Sequence, residues 1–200
     1  MKNDFLSSYD LKKKEIKERL EDFKNKNEQE QFNEFMFCLL TPQSNAQRCW
    51  GAVLEIKKLK EVNFENVLEI LKTRTRFHNT KTKRILEGKE KWVEVVEKLD
   101  SKLIVELRNW LADNVNGYGL KESGHFLRNI GKSNNQIAIL DRHILKNLKE
   151  SGVIDEEKIK NRKDYFDKEK KFLEFSKNLG IPADELDLLL WSKENGEIFK

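Results

Sequence analysis

The sequence predicts an all-α protein, and three observations carry that prediction. Apolar residues recur at helical spacing in one segment after another. Proline occurs twice and glycine nine times in 200 residues, so breakers are scarce. Lys and Glu dominate a charged fraction of 37%, as expected where good helix formers fill the exposed faces. Hydrophobic residues still make up 38% of the chain, enough for a core, which excludes wholesale disorder. The length suits one compact domain or two small lobes.

The elements follow in order. Phe5, Leu6, Tyr9, Ile16, Leu20 and Phe23 line one face of a long surface helix. Gln31 to Leu40 forms a much more apolar helix, expected at the centre of a core. Thr41-Pro42-Gln43-Ser44-Asn45 breaks it, because proline disfavours the α conformation at Thr41 and Ser44 or Asn45 can cap the next helix, which runs to about Leu59. A short helix covers Asn63 to Leu71, and others cover about Thr80–Leu99 and Ser101–Asp113. Asn116-Gly117-Tyr118-Gly119 separates the last of these from a helix over Leu120–Ile130, which Gly131 is placed to end. A helix starts at about Asp141. Two more span Tyr165–Leu179, stopped by Gly180, and Pro182–Ser192.

Composition narrows the function classes. The formal net charge is only +4, so nucleic-acid binding has to come from clustering rather than from the total. Cys38 and Cys49 stand beside apolar residues and read as buried free thiols in a reducing compartment. Two cysteines cannot hold an iron–sulfur cluster, and no Cys/His spacing suggests zinc. The N-terminus, Met1-Lys2-Asn3-Asp4-Phe5, has no apolar signal region, and no run of 18 apolar residues occurs. A cytoplasmic protein without a membrane partner is the expectation.

The stretch richest in chemistry is Val115 to Leu127. Two helices meet at a turn with glycines two apart, and Gly117 and Gly119 can take positive φ and let another molecule approach the backbone. The unpaired N–H groups at the start of the second helix suit a DNA phosphate. An ordinary structural corner fits the glycines equally well. Lys121 does not fit a corner so easily, because a cation is disfavoured at the positive end of a helix. With partial burial, that location favours the neutral amine, which is the nucleophilic form. The apolar run Ile137-Ala138-Ile139-Leu140 then leads to Asp141 at a helix start. Taken alone, Asp141 is an N-cap.

The hairpin lysine followed 20 residues later by an Asp opening a helix resembles the helix-hairpin-helix DNA glycosylase superfamily that includes endonuclease III. Gly-Tyr-Gly-Leu-Lys-Glu-Ser-Gly-His-Phe-Leu-Arg-Asn and Ala-Ile-Leu-Asp-Arg-His-Ile-Leu are similar to the archaeal and thermophile-bacterial type-2 8-oxoguanine DNA glycosylase/AP lyases. Phe37-Cys38-Leu39-Leu40-Thr41, Leu190-Trp191 and the final Lys200 extend the likeness along the chain. The resemblance implies a two-lobed fold with the active site in the cleft between lobes. One lobe would hold residues 41–131, with the hairpin at about 107–130. Residues 1–40 and 132–200 would form the other.

It further implies that Lys121 attacks C1′ of a flipped nucleotide, expels the base as a Schiff base forms, and supports β-elimination, while Asp141 stabilises positive charge at the sugar and assists proton transfers. Double-stranded DNA carrying 8-oxoguanine or an abasic site would be the partner of a monomer. No cofactor is required, and no catalytic metal is expected. Hairpin carbonyls could hold a monovalent cation. Lys200 is the expected base-recognition residue, its terminal carboxylate accepting from the N7–H that 8-oxoguanine has and guanine lacks. Gln43, in the Thr-Pro-Gln-Ser break, is a candidate wedge for the gap left in the duplex, and equally a polar cap.

Between Lys72 and Lys91 there are eight Lys/Arg and two Glu. Arg74, Arg76, His78, Lys81 and Arg84 are therefore expected phosphate contacts, beside a buried-looking Phe77. Arg128 and His143 are expected DNA contacts as well, with His125 and His143 flanking the catalytic pair. Two other functions stay open on the residues alone. One is a related glycosylase/lyase for oxidised pyrimidines, and the other is a non-catalytic helix-hairpin-helix module that only grips DNA.

Overall fold

The computed structural model describes residues 2–200, apart from the side chains of residues 2, 3, 194 and 195; Met1, on which the N-terminal reading partly rests, lies outside them. Ten helices and no strand occur among the described residues: α1 (Lys2–Lys24), α2 (Glu28–Leu40), α3 (Ala46–Ile56), α4 (Phe64–Lys72), α5 (His78–Lys98), α6 (Ile104–Asn114), α7 (Leu120–Asn129), α8 (Arg142–Glu150), α9 (Arg162–Leu179) and α10 (Ala183–Asn195). Side-chain caps start several of them. Asn27 and Glu30 form a capping box at α2, and Asn45, Asn63 and Asn161 cap α3, α4 and α9 through their side-chain oxygens. No described helix is long and apolar enough to cross a membrane.

The chain divides into two compact units, residues 26–126 and residues 1–25 with 127–200. The sequence had assigned α2 to the same lobe as the N-terminal helix. The structure puts it in the hairpin unit, because its buried residues pack against α3 and α5. Eight consecutive residues, Asn33 to Leu40, are buried. Glu34, fully buried among them, pairs with Lys26 at 2.9 Å. Phe35 is the hub, packing against Phe32, Trp92, Tyr118 and Phe126 with ring centroids 5.1–6.1 Å apart. Gly88 lets α5 approach it. A Cβ there would lie 2.6 Å from Phe35 Cε1, so the close crossing of α2 and α5 requires glycine.

The other unit has its core between α1 and α8–α10. Leu186, Leu188, Leu189 and Leu190 are completely buried, and Phe5 packs edge-on against Phe175 at 5.6 Å. The loop before α8 is tied to α10: Asp184 accepts from Ser133 Oγ at 2.8 Å and from the Asn135 N–H at 3.1 Å. Gly131, in the left-handed conformation at φ 69°, ends α7 as its sequence position predicted.

Candidate active site

In the hairpin unit, α6 and α7 are joined by a turn in which the Tyr118 N–H bonds Val115 O at 3.0 Å. The Tyr118 hydroxyl donates to Phe35 O at 3.0 Å, which pins the turn onto α2; burial pushes this phenol well above its ordinary range. Of the two turn glycines, only Gly117 takes positive φ (97°), so the expectation for Gly119 does not hold. A Cβ on Gly117 would lie 2.5 Å from Arg84 Cδ. Arg84 is half-buried and lies against the turn.

Gly119 O accepts the first helical bond of α7, from the Ser123 N–H at 3.0 Å. Glu122, in the first turn, reaches back so that its Oε2 accepts from the Gly119 N–H at 3.2 Å, which is the carboxylate half of a capping box. Its other oxygen lies 2.8 Å from Lys121 Nζ. The Lys121 side chain is 30% exposed and that of Glu122 13%, so the amine reaches the surface with a carboxylate beside it.

Asp141 is held in the other unit. Its Oδ1 accepts from the Ile144 N–H at 2.8 Å, and its backbone is extended at φ −84° and ψ 177°. It is therefore the N-cap that its local sequence predicts, and its second oxygen is not used by the cap. The buried run leading to it is anchored by α9. The Ala138 N–H donates to Glu169 Oε1 at 2.8 Å, and the Tyr165 hydroxyl donates to Ala138 O at 2.7 Å. Asp187, buried on α10, is close enough for its charge and that of Asp141 to repel. Burial pushes Asp187 up to about 7, against the pull of its ion-pair partner Arg128 at 3.1 Å; Asp141 and Asp184 raise it further.

Residues 16–181 match the sequence family described as 8-oxoguanine DNA glycosylase. The chain belongs to that family. A curated relative named 8-oxoguanine DNA glycosylase/AP lyase from Fusobacterium nucleatum is 40% identical, over 100% of this chain and 99% of its own. One of the same name from Methanocaldococcus jannaschii is 31% identical, with 96% of each chain covered. Among solved structures, the 8-oxoguanine DNA glycosylase of Thermotoga maritima superposes with a TM-score of 0.87 at 27% identity, covering 100% of this chain and 98% of its own. The M. jannaschii 8-oxoguanine glycosylase/lyase, in complex with a 15mer DNA containing 8-oxoguanine, gives 0.85 at 30% identity, covering 98% and 99%. The ten-helix architecture is the helix-hairpin-helix fold of these glycosylases.

Within this family fold, the basic segment sorts into outward and inward residues. Arg76 is exposed, and its guanidinium lies 5.4 Å from the Phe77 ring centroid. His78 opens α5 half-buried. Arg74, half-buried, is paired with Glu55 of α3. Lys81 is 1% exposed and bonded to backbone oxygens, so it is not the surface phosphate contact the charge run suggested. Arg128 is corrected likewise: it is 3% exposed, paired with Asp187, and stacked 5.5 Å over Phe23. Both cations are drawn in by acceptors distant in sequence. Lys200 is also buried, its amine 6.0 Å over that same Phe23 ring. His143 is half-buried at the start of α8.

The Gln43 turn is exposed, with φ 54°, and Ser44 Oγ accepts from the Arg76 N–H at 3.0 Å. Sequence reasoning missed two features and misread a third. Glu122 carries a signal, Gly-x-x-Glu at a helix start, that reads as a helix cap and not as a partner of the amine. Phe77, which reads as buried in the sequence, is instead 54% exposed at φ 56°, a conformation that its residue type does not announce. Asp187 lies in an ordinary amphipathic pattern.

Proposed function

We propose that this protein is a base-excision enzyme that removes 8-oxoguanine from DNA through Lys121 and then nicks the abasic strand. The observation that carries this reading is Lys121 in the first turn of α7, in a member of this glycosylase family, with its amine at the surface of the hairpin. The neutral amine attacks C1′ of the extruded nucleotide as the glycosidic bond breaks, and the base leaves with those electrons and a proton. Ring opening gives the iminium. Loss of a C2′ proton then expels the 3′ phosphate by β-elimination. Asp141, as a carboxylate, opposes the positive charge that builds at the sugar.

Other residues fit the same substrate. Lys81, Arg76, Arg84 and Lys121 lie near enough for their charges to interact, which makes this face attractive to a phosphate backbone. Gln43 and Phe77 supply one polar and one aromatic group on neighbouring turns, suited to filling a gap in a duplex and stacking on a base. Lys200 remains the proposed base-recognition residue. The enzyme acts as a monomer on duplex DNA in the cytoplasm.

Borohydride reduction during incubation with an 8-oxoguanine duplex tests the reading. A covalent protein–DNA adduct is expected, absent in Lys121→Gln. An adduct formed only with oxidised-pyrimidine duplexes would reassign the substrate, and none with any lesion would leave a DNA-gripping module.

A further inference from the structure

Lys81 is the most unusual group that the reaction does not use. It lies in the first turn of α5 and is 1% exposed. Its ammonium donates to Leu40 O at 2.6 Å, Pro42 O at 2.8 Å and Ser44 Oγ at 2.8 Å, which uses all three N–H groups. All three acceptors are neutral. Among the described residues, the charged groups facing it are Arg76 from the turn before α5, Arg84 from α5 itself and Lys121 from α7, all cations, and the Cys49 thiol of α3, which burial keeps protonated, lies near it as well. Burial accordingly pulls the amine down to about 8. A buried cation without an anionic partner is expensive, and an apolar side chain of similar length would fill the space at less cost.

The acceptors show what the amine achieves. Leu40 ends α2, so its carbonyl is among those a helix terminus leaves unpaired. Pro42 and Ser44 flank Gln43, an exposed residue held in the left-handed conformation. Ser44 also takes the Arg76 N–H, and Arg76 precedes Phe77, the other exposed residue with a left-handed backbone on this side of the unit. One ammonium thus ties together the turns over residues 41–45 and 73–77. Each turn carries one exposed side chain at a strained position.

We propose that Lys81 is a positioning residue that holds the Gln43 turn, and through Ser44 the Phe77 turn, in the shape with which they enter DNA beside the extruded nucleotide. This rests on the reading of those turns as DNA-contacting. A wedge that fills a base-sized gap has to be in place before the nucleotide leaves the stack, and a loose loop would have to be ordered at every encounter. Charge suits the task because three directed donors fix three oxygens at once, which an apolar filler cannot do.

The test compares Lys81→Met, Ser44→Ala and Gln43→Ala with the unaltered enzyme. Single-turnover excision from an 8-oxoguanine duplex is measured beside borohydride trapping on a single-stranded abasic oligonucleotide, which needs no base extrusion. The fluorescence of 2-aminopurine placed opposite the lesion reports the unstacking. In Lys81→Met the ratio of duplex to single-strand rates is expected to fall about tenfold or more, with a smaller aminopurine rise. Ser44→Ala removes the acceptor shared by the ammonium and the Arg76 N–H but leaves the ammonium its two carbonyl acceptors, and it is expected to lower the same ratio by about threefold. Equal losses on both substrates in Ser44→Ala and Lys81→Met, or none, overturn the proposal, since a mere brace of the fold serves both reactions alike. Gln43→Ala separates the two levels. If it slows the duplex reaction while the Lys81 and Ser44 variants keep their ratio, the positioning role fails and the DNA-contacting turn stands; if it has no effect, the reading of the turn falls, and the positioning role with it.

Discussion

Lys121 Nζ sits 2.8 Å from Glu122 Oε1, although successive residues on a helix point about 100° apart and do not normally meet. They meet because Glu122 is bent back to the Gly119 N–H, across the start of α7. One carboxylate therefore serves the helix end and the amine together. The two duties separate on mutation. Glu122→Gln keeps an oxygen for the Gly119 N–H, whereas Glu122→Ala loses it, at a cost of about 1 kcal/mol, or about 2–4 °C in Tm for a chain of this size. Both remove the charge that holds the ammonium. A partly exposed pair of this kind is worth at most about 1 kcal/mol, so trapping at saturating DNA should rise by no more than about fivefold, equally in the two variants. A tenfold fall in both would instead make Glu122 the acceptor of the amine's proton.

Asp141 presents a comparable double duty, and it can be divided the same way. Asp141→Asn leaves an oxygen to accept from the Ile144 N–H, so thermal stability should stay within about 0.5 kcal/mol. Excision should nevertheless fall roughly a hundredfold or more, because the negative charge opposing the sugar cation is gone. Asp141→Ala should match that loss of activity and add about 1 kcal/mol of instability. If Asn behaves like the native residue in single-turnover excision, Asp141 is a cap and nothing more.

Helix positions were legible in the sequence because each surface helix buries one stripe, and a stripe leaves a 3.6-residue period. Asp141 was legible as a cap for a related reason: an N-cap is local, and the apolar run before it marks the boundary. α2 was legible as a helix but not in its unit, since residues buried on all sides give no direction. Lys81 and Arg128 were misread as surface contacts for one physical cause. Whether a cation is exposed depends on its acceptors, and these are the end of α2 and Asp187 on α10. The left-handed backbone at Gln43 and Phe77 is likewise imposed by the surrounding structure, as neither residue type prefers it.

Asp187 makes a pH prediction. Its folded-state value near 7 lies above the ordinary carboxylate value of 3.8, because burial penalises the charge more than Arg128 relieves it. The folded protein thus binds a proton here that the unfolded chain has released. The resulting stability is fully present below about pH 3.8 and is lost as pH rises toward and through 7. Asp187→Asn removes that titration. Melting temperatures of the two proteins, taken from pH 4 to 8, should therefore converge or cross in the variant's favour as pH rises. A constant difference between the curves would show that Asp187 titrates normally.

Salt dependence distinguishes the arginines of the basic segment. Arg76 is exposed beside Phe77, whereas Arg74 is committed to Glu55. An arginine that neutralises one phosphate on binding releases about one condensed counterion, so its loss should reduce the slope of log K against log salt by about one. Arg76→Ala should show that reduction on lesion-containing and undamaged duplexes alike, because a phosphate contact carries no base information. Arg74→Ala breaks a part-exposed ion pair worth at most about 1 kcal/mol and should leave the slope unchanged. Fluorescence anisotropy with a labelled duplex, titrated between about 50 and 200 mM salt, measures both. The reverse pattern, a lower slope in Arg74→Ala only, would mean that the Glu55 pair opens when DNA binds and that the segment reorganises around the phosphate backbone.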